Sequence, residues 1–351
     1  MTGAFELDSE RIKAEDSIDK IYDLFYERGW TDGLPIIPPT EERVKWMLSG
    51  CNWEPQELVA VLPPRLAAAT VEKIAINAVM AGCLPDYLPV IIAAVKAVAE
   101  EKFGLLGGQT TTHSCGVLIV VNGPIARKIG INSRGNAFGP GVRANATIGR
   151  ALNLILLNIG GGIPGQIDKS TQGQPSKYTY CVAENEEDSP WKPFHVERGF
   201  RPEDSTVTVF AAEGPHNIND HDSTTGVGIL KTAAATMATA GNNNLIFLSG
   251  EPILMFGPEH AATIARDGFS KEQVRDFIYE NARLPLKMLS EEHIQYRRKS
   301  RERYGEFVDS ETIPLAKRED IIVMVAGGAG KHSCFIPTFG LSYSVTKIIK
   351  H

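Results

Sequence analysis

Cysteine is scarce in this chain: 5 of 351 residues, namely Cys51, Cys83, Cys115, Cys181 and Cys334. The number is odd, the positions are scattered, and no C-x-x-C occurs. That excludes a disulfide framework, a zinc ribbon and a thioredoxin-type redox pair. Basic charge is also short. Lys and Arg number 36 against 42 Asp and Glu, a net charge of -6, so the electrostatic footprint of a nucleic-acid binder is missing. Long apolar runs are lacking too: LNLILLNIGGGI stops well before the ~20 residues of a membrane span. The polar start, MTGAFELDSERIKAEDS, has no apolar signal-peptide core. The expectation is a soluble, cytoplasmic chain with neither a membrane nor a nucleic-acid partner.

A hydrophobic content of 43% and a charged content of 22% suit a globular fold. SIDKIYDLFYER shows helical spacing, with Gly29 as a stop. TVEKIAINAVMAG, DYLPVIIAAVKAVAEE, RANATIGRALNLILLNIGGG and GVGILKTAAATMATAG also read as helices. Ser270 and Gln273 form a capping box for KEQVRDFIYENAR. GVLIVVNGP, STVTVFAAEGP, LIFLSGEPILMFGP and DIIVMVAGG read as strands that end in Gly-Pro or Gly-Gly. VNGPIARKIG and MFGPEHAATIARDG form a weak internal repeat.

This grammar predicts an α/β fold, with mixed or parallel sheets flanked by helices and two related halves. The halves are drawn at 1–165 and 205–351. Between them, 166–204 is too long and too rich in aromatics for a plain linker, and reads as an ordered functional loop. Ligands in such folds bind at the carboxyl ends of strands, which would gather Asn122, Glu213, His216 and the 331–334 turn on one rim.

Two nucleotide loops fail on inspection. GGAGKHS has Val325 where a P-loop needs glycine, and His332 where it needs Ser or Thr. Gly160, Gly162 and Gly165 follow a helix and enclose Pro164. No nucleotide cofactor is expected; a divalent metal stays open, with its ligands unknown.

Other stretches carry acid/base or anion-binding groups. FGPGVRANATIG offers Arg143 and Asn145 as an anion site at a helix start, or an ordinary turn. EGPHNINDHD packs Glu213, His216, Asp220, His221 and Asp222 after a strand, as an acid/base cluster, a metal site or a solvated turn. AENEEDSPWKPFHVERGF sets Glu184, Glu186, Glu187, His195 and Glu197 around Trp191, to bind a cation or metal or as a solvated acidic turn. His260 reads as structural. Finally, His-Ser-Cys occurs twice, in THSCG and KHSCF. His113 and His332 are candidate acid/base groups, Cys115 and Cys334 candidate nucleophiles, and Lys331 and Ser333 candidate donors.

GWTDGLPIIPPTEERV, ATVEKIAINAVMAG, FGPGVRANATIGRA, STQGQPSKYTYCVAENEEDSPW, AAEGPHNINDH and GGAGKHSCFIPTFG carry a wider likeness. On these motifs the chain resembles a family of mostly uncharacterised bacterial proteins, companions of small proteins bearing a U-G-S-C, selenocysteine-type, redox motif. The resemblance implies an enzyme-like chain. It also implies a UGSC-type redox subunit as a partner, since this chain has no C-G-S-C of its own.

The resulting expectation is a small-molecule enzyme, a hydrolase or lyase acting on a polar, anionic substrate. His113, His216, His221 and His332 would do the acid/base work. Asp32, Asn122, Arg143, Asn145, Glu213, Lys331 and Ser333 would bind substrate. The alternatives are a thiol- or selenol-linked redox subunit using Cys115 and Cys334, and a non-catalytic binding subunit. A homo-oligomer is expected.

Overall fold

The computed structural model describes residues 7–300 and 310–350; the first six residues of the polar N-terminus lie outside them. Twelve strands occur in chain order among the described residues. They are β1 Leu58–Leu62, β2 Ala67–Thr70, β3 Gly116–Asn122, β4 Cys181–Ala183, β5 Thr206–Ala212, β6 His216–Asn219, β7 Ile253–Phe256, β8 Arg283–Pro285, β9 Thr312–Pro314, β10 Ile322–Val325, β11 His332–Ile336 and β12 Val345–Ile348. β1–β2 and β8–β9 are small antiparallel pairs. The other eight form two four-stranded sheets, ordered β12-β5-β3-β4 and β10-β7-β11-β6.

Side-chain alternation explains why both sheets are buried on two faces. In β3, Val117, Ile119 and Val121 join an apolar cluster with helices Val71–Ala81, Leu88–Val98 and Arg143–Ile155. Leu118 and Val120 point the other way, onto Ile253, Met255, Ile322, Met324 and Ile336 of the second sheet. That sheet turns Leu254, Phe256, Val323 and Val325 toward helices Gly226–Met237, Pro258–Arg266 and Lys271–Asn281. The layers therefore run helix, sheet, sheet, helix. Near-continuous apolar strands are what double-sided burial requires.

The two sheets repeat one pairing scheme. β3 is parallel to β4 and antiparallel to β5; β7 is parallel to β10 and antiparallel to β11. The fourth strand is exchanged. β6, which follows β5 in the chain, pairs with β11, and β12, which follows β11, pairs with β5. Residues 205–351 thus supply two strands to the sheet that holds β3.

Local signals set many boundaries. Thr70 caps Val71–Ala81, and the Ser270–Gln273 capping box starts Lys271–Asn281. Pro124 and Pro258 stand in the first turns of Pro124–Lys128 and Pro258–Arg266. Gly257 is required by close approach: a Cβ there would sit 2.2 Å from the His332 carbonyl oxygen. Gly214-Pro215 departs from the pattern and leads into β6 instead of a helix. LIFLSGEPILMF splits as well: Asn243–Phe247 is a short helix, and only Ile253–Phe256 is strand. Among the described residues, no helix is long and apolar enough to cross a membrane.

Candidate functional site

The two His-Ser-Cys tracts lie in different places. The first stands just before β3, at a corner where the sheets join: Glu213 N–H donates to the Pro337 carbonyl (2.8 Å), and Phe339 N–H to that of Ala211 (2.8 Å). Here His113 Nε2 is 2.7 Å from Glu213 Oε1, and the ring stacks on Phe339 with centroids 5.5 Å apart. Ser170 Oγ donates to the His113 carbonyl and Gln174 Nε2 to that of Ser114. The second tract opens β11, and His332 is exposed. From His332 to Phe339 the chain takes seven largely extended steps of roughly 3.3 Å each, so His113 and His332, expected to share the acid/base work, stand apart.

The thiols part company too. Cys115 packs into the cluster between the first sheet and its helices, whereas Cys334 packs between the sheets. Burial pushes each thiol up to about 12. Both are protonated at neutral pH and poor nucleophiles in this state.

Beside the first tract is a cavity of about 670 Å³ between the helical layer and the first sheet. Its wall includes Cys115, Gln109, Gln174, Asn153, Lys177 and Asp168. Lys177 Nζ donates to Asp168 Oδ2 across 2.5 Å. Asp32 also reaches the wall, clamped by Arg150 through Nε (2.8 Å) and Nη2 (2.9 Å). Burial works to raise the Asp32 carboxyl, but the Arg150 hydrogen bonds and charge hold it below the usual carboxylate range. Asp32 is therefore an ion-paired wall residue. Gln109, Asn153, Asp168, Gln174 and Lys177 were missed by sequence reading. Gln109 stands in GGQTTT, and Asp168, Gln174 and Lys177 in the polar stretch IDKSTQGQPSK, whereas Asn153 is a polar residue within the helix Arg143–Ile155.

Several predicted residues lie elsewhere. β5 runs antiparallel to β3, with Gly116 opposite Ala212 and Asn122 opposite Thr206. Asn122 and Glu213 are thus at opposite ends of the sheet, not on one rim. Asn122 is fully buried and donates through Nδ2 to Glu184 Oε2 (2.6 Å) and Glu186 Oε1 (2.9 Å). Lys271 lies 3.8 Å from Glu184 and His195 3.8 Å from Glu186, so part of the acidic stretch is a buried network, not a solvated turn. Burial raises the Glu184 carboxyl, with Lys271 pulling the other way.

Arg143 is turned onto the Gly82 carbonyl (2.9 Å) at the end of Val71–Ala81 and does not line the cavity. Asn145 is buried and structural, bonding the backbone of Asn132 and the carbonyl of Cys181. His216 is exposed on β6, opposite Phe335.

The remaining candidates gather at the exposed second tract. His332 Nε2 and His221 Nε2 are 3.1 Å apart, and His332 Nδ1 is 3.0 Å from Asn217 Oδ1. Lys331 Nζ donates to the His221 carbonyl (2.8 Å). Ser333 is buried, with its Oγ 2.8 Å from His260 Nδ1.

No family model matches this chain, nor does any curated protein or solved structure.

Proposed function

We propose that this chain is a small-molecule enzyme that uses histidine acid/base chemistry, by hydrolysis or elimination, on a polar substrate held in the cavity beside β3. The observation that carries the reading is the His113–Glu213 pair at 2.7 Å: it lies behind the wall of a cavity of about 670 Å³, joined to it through the wall residues Ser170 and Gln174, which bond the His113 and Ser114 carbonyls. The Glu213 carboxylate fixes the imidazole's orientation, and stacking on Phe339 fixes its plane. Gln109, Gln174 and Asn153 bring amide groups to the wall, and Lys177 brings a positive charge for an anionic substrate group. Asp168 already pairs with Lys177, so an anion must compete with it. The chain works in the cytoplasm as a homo-oligomer, and exposed Ile18, Tyr26, Trp46, Leu58 and Leu66 are apolar surface available for association.

The redox reading, with a UGSC-type partner, draws on Cys115 in the cavity wall. It requires a thiolate, and a thiol pushed up to about 12 works against it.

A panel of small esters, amides and hydroxy acids, followed by mass spectrometry, tests the proposal. His113→Asn is expected to slow consumption of the converted compound by about 100-fold or more. Cys115→Ser is expected to leave it nearly unchanged. The opposite result would discard the acid/base reading for the redox one.

A further inference from the structure

The second tract lies outside the cavity, and the proposal above uses none of its residues. Its geometry is nonetheless specific. The Asn217 side-chain oxygen only accepts, so His332 Nδ1, 3.0 Å away, carries the proton. The His332 Nε2 lone pair is then bare, and it faces His221 Nε2 at 3.1 Å. Something positive must sit between them, either a proton or a metal ion. Two imidazole nitrogens bound at about 2.0–2.1 Å to one tetrahedral ion stand about 3.3 Å apart, close to the observed spacing.

An N–H···N bond between two exposed rings contributes little to folding, because each ring can bond water instead. Yet the spacing is built from below. His260 is buried; its Nε2 donates to the Asp220 carbonyl (3.1 Å), and its Nδ1 accepts from Ser333 Oγ (2.8 Å). Asp220 precedes His221, and Ser333 follows His332. One buried ring therefore ties together the two backbones that carry the exposed pair. Asp220 is fixed in turn by Thr232 Oγ1 and Ser223 N–H, and Ser333 Oγ accepts from Gly257 N–H. Lys331 anchors the His221 carbonyl from the other side. Such support is what preorganised ligands need, and a carbonyl oxygen on the far nitrogen is the usual partner of a metal-bound histidine.

We infer that His221 and His332 form a binding site for a divalent transition-metal ion of the zinc, nickel and copper group. Imidazole ligands without a carboxylate select these over magnesium or calcium. Among the described residues, no third His, Cys, Asp or Glu completes a three-ligand set. The ion would keep its remaining positions for water or an incoming ligand, and His260 and Asn217 position the pair without touching the ion.

The test is calorimetric titration of the full chain with zinc chloride, with magnesium chloride as the control and the visible spectrum with cobalt(II) as a second readout. One zinc ion per chain and no magnesium binding are expected. His221→Ala and His332→Ala should each weaken zinc by at least tenfold and remove the cobalt spectrum of the site. Asn217→Ala should weaken it about tenfold while leaving both ligands in place. Both rings are exposed, so these variants are expected to fold, which circular dichroism would verify. The proposal is overturned if zinc does not bind. It is equally overturned if the double variant binds with wild-type affinity, for the ion would then sit on other side chains.

Discussion

The same tripeptide, His-Ser-Cys, has two environments in this molecule. In the first, the histidine is held by a carboxylate and an aromatic ring, and the serine's carbonyl, not its hydroxyl, carries the bond to Gln174. In the second, the histidine is exposed, while the serine hydroxyl is buried and bonded on two sides. The difference follows from position. The first tripeptide precedes its strand, so its side chains meet loops from both sheets. The second lies within β11, where alternation sends His332 outward and Ser333 inward.

Three measurements can break or sharpen this contrast. The largest effect treats the two tracts alike. Burial lifts Cys115 and Cys334 from an ordinary 9.0 to about 12, so each should react with iodoacetamide about a thousandfold more slowly in the native protein than in urea. Mass spectrometry of the labelled peptides reads both at once. Rapid native labelling of one thiol would give the tracts unlike cysteines as well as unlike histidines.

The next effect separates them. His113→Ala removes a mostly buried ring and strands Glu213, at a cost of about 2–4 kcal/mol. His332→Ala at an exposed position should cost within about 0.5 kcal/mol. Urea denaturation gives both, and equal losses would erase the distinction. Binding of metal would not disturb this comparison if chelator is present throughout.

The smallest effect concerns pH and belongs to the second tract. Burial lowers the pKa of His260 below its ordinary 6.5. As pH falls, the unfolded chain takes up this proton before the folded one does. His260 therefore leaves stability intact above about pH 7 and removes some as pH falls through 6.5 toward the folded value. Wild type should lose more stability than His260→Gln between pH 7.5 and 5.5. A parallel pair of curves would show that His260 titrates alike in both states.

Much of the fold was legible because its signals are local. The uninterrupted apolar run of GVLIVVN marks a strand covered on both faces, and Ser270 with Gln273 marks a helix start. The repeat seen in VNGPIARKIG and MFGPEHAATIARDG falls on β3 and β7, which hold equivalent places in the two sheets. The site was less legible because its partners are far apart in the chain. Glu213 meets His113 across 100 residues and Arg150 meets Asp32 across 118, and such pairs leave no periodicity. The single-rim expectation for Asn122 and Glu213 failed for a topological reason: a strand looks the same in sequence whether it runs parallel or antiparallel to its neighbour.

The exchanged fourth strand also bears on synthesis. The sheet that begins with β3 is closed at its edge by β12, whose residues 345–348 leave the ribosome more than 200 residues later. The β11 edge, conversely, is covered by β6, made more than 100 residues before it. Domains of many chains fold in turn as they emerge. Here the two sheets are stitched to each other by the order of translation, and a nascent chain stopped before residue 345 carries an open β5 edge available to any passing strand.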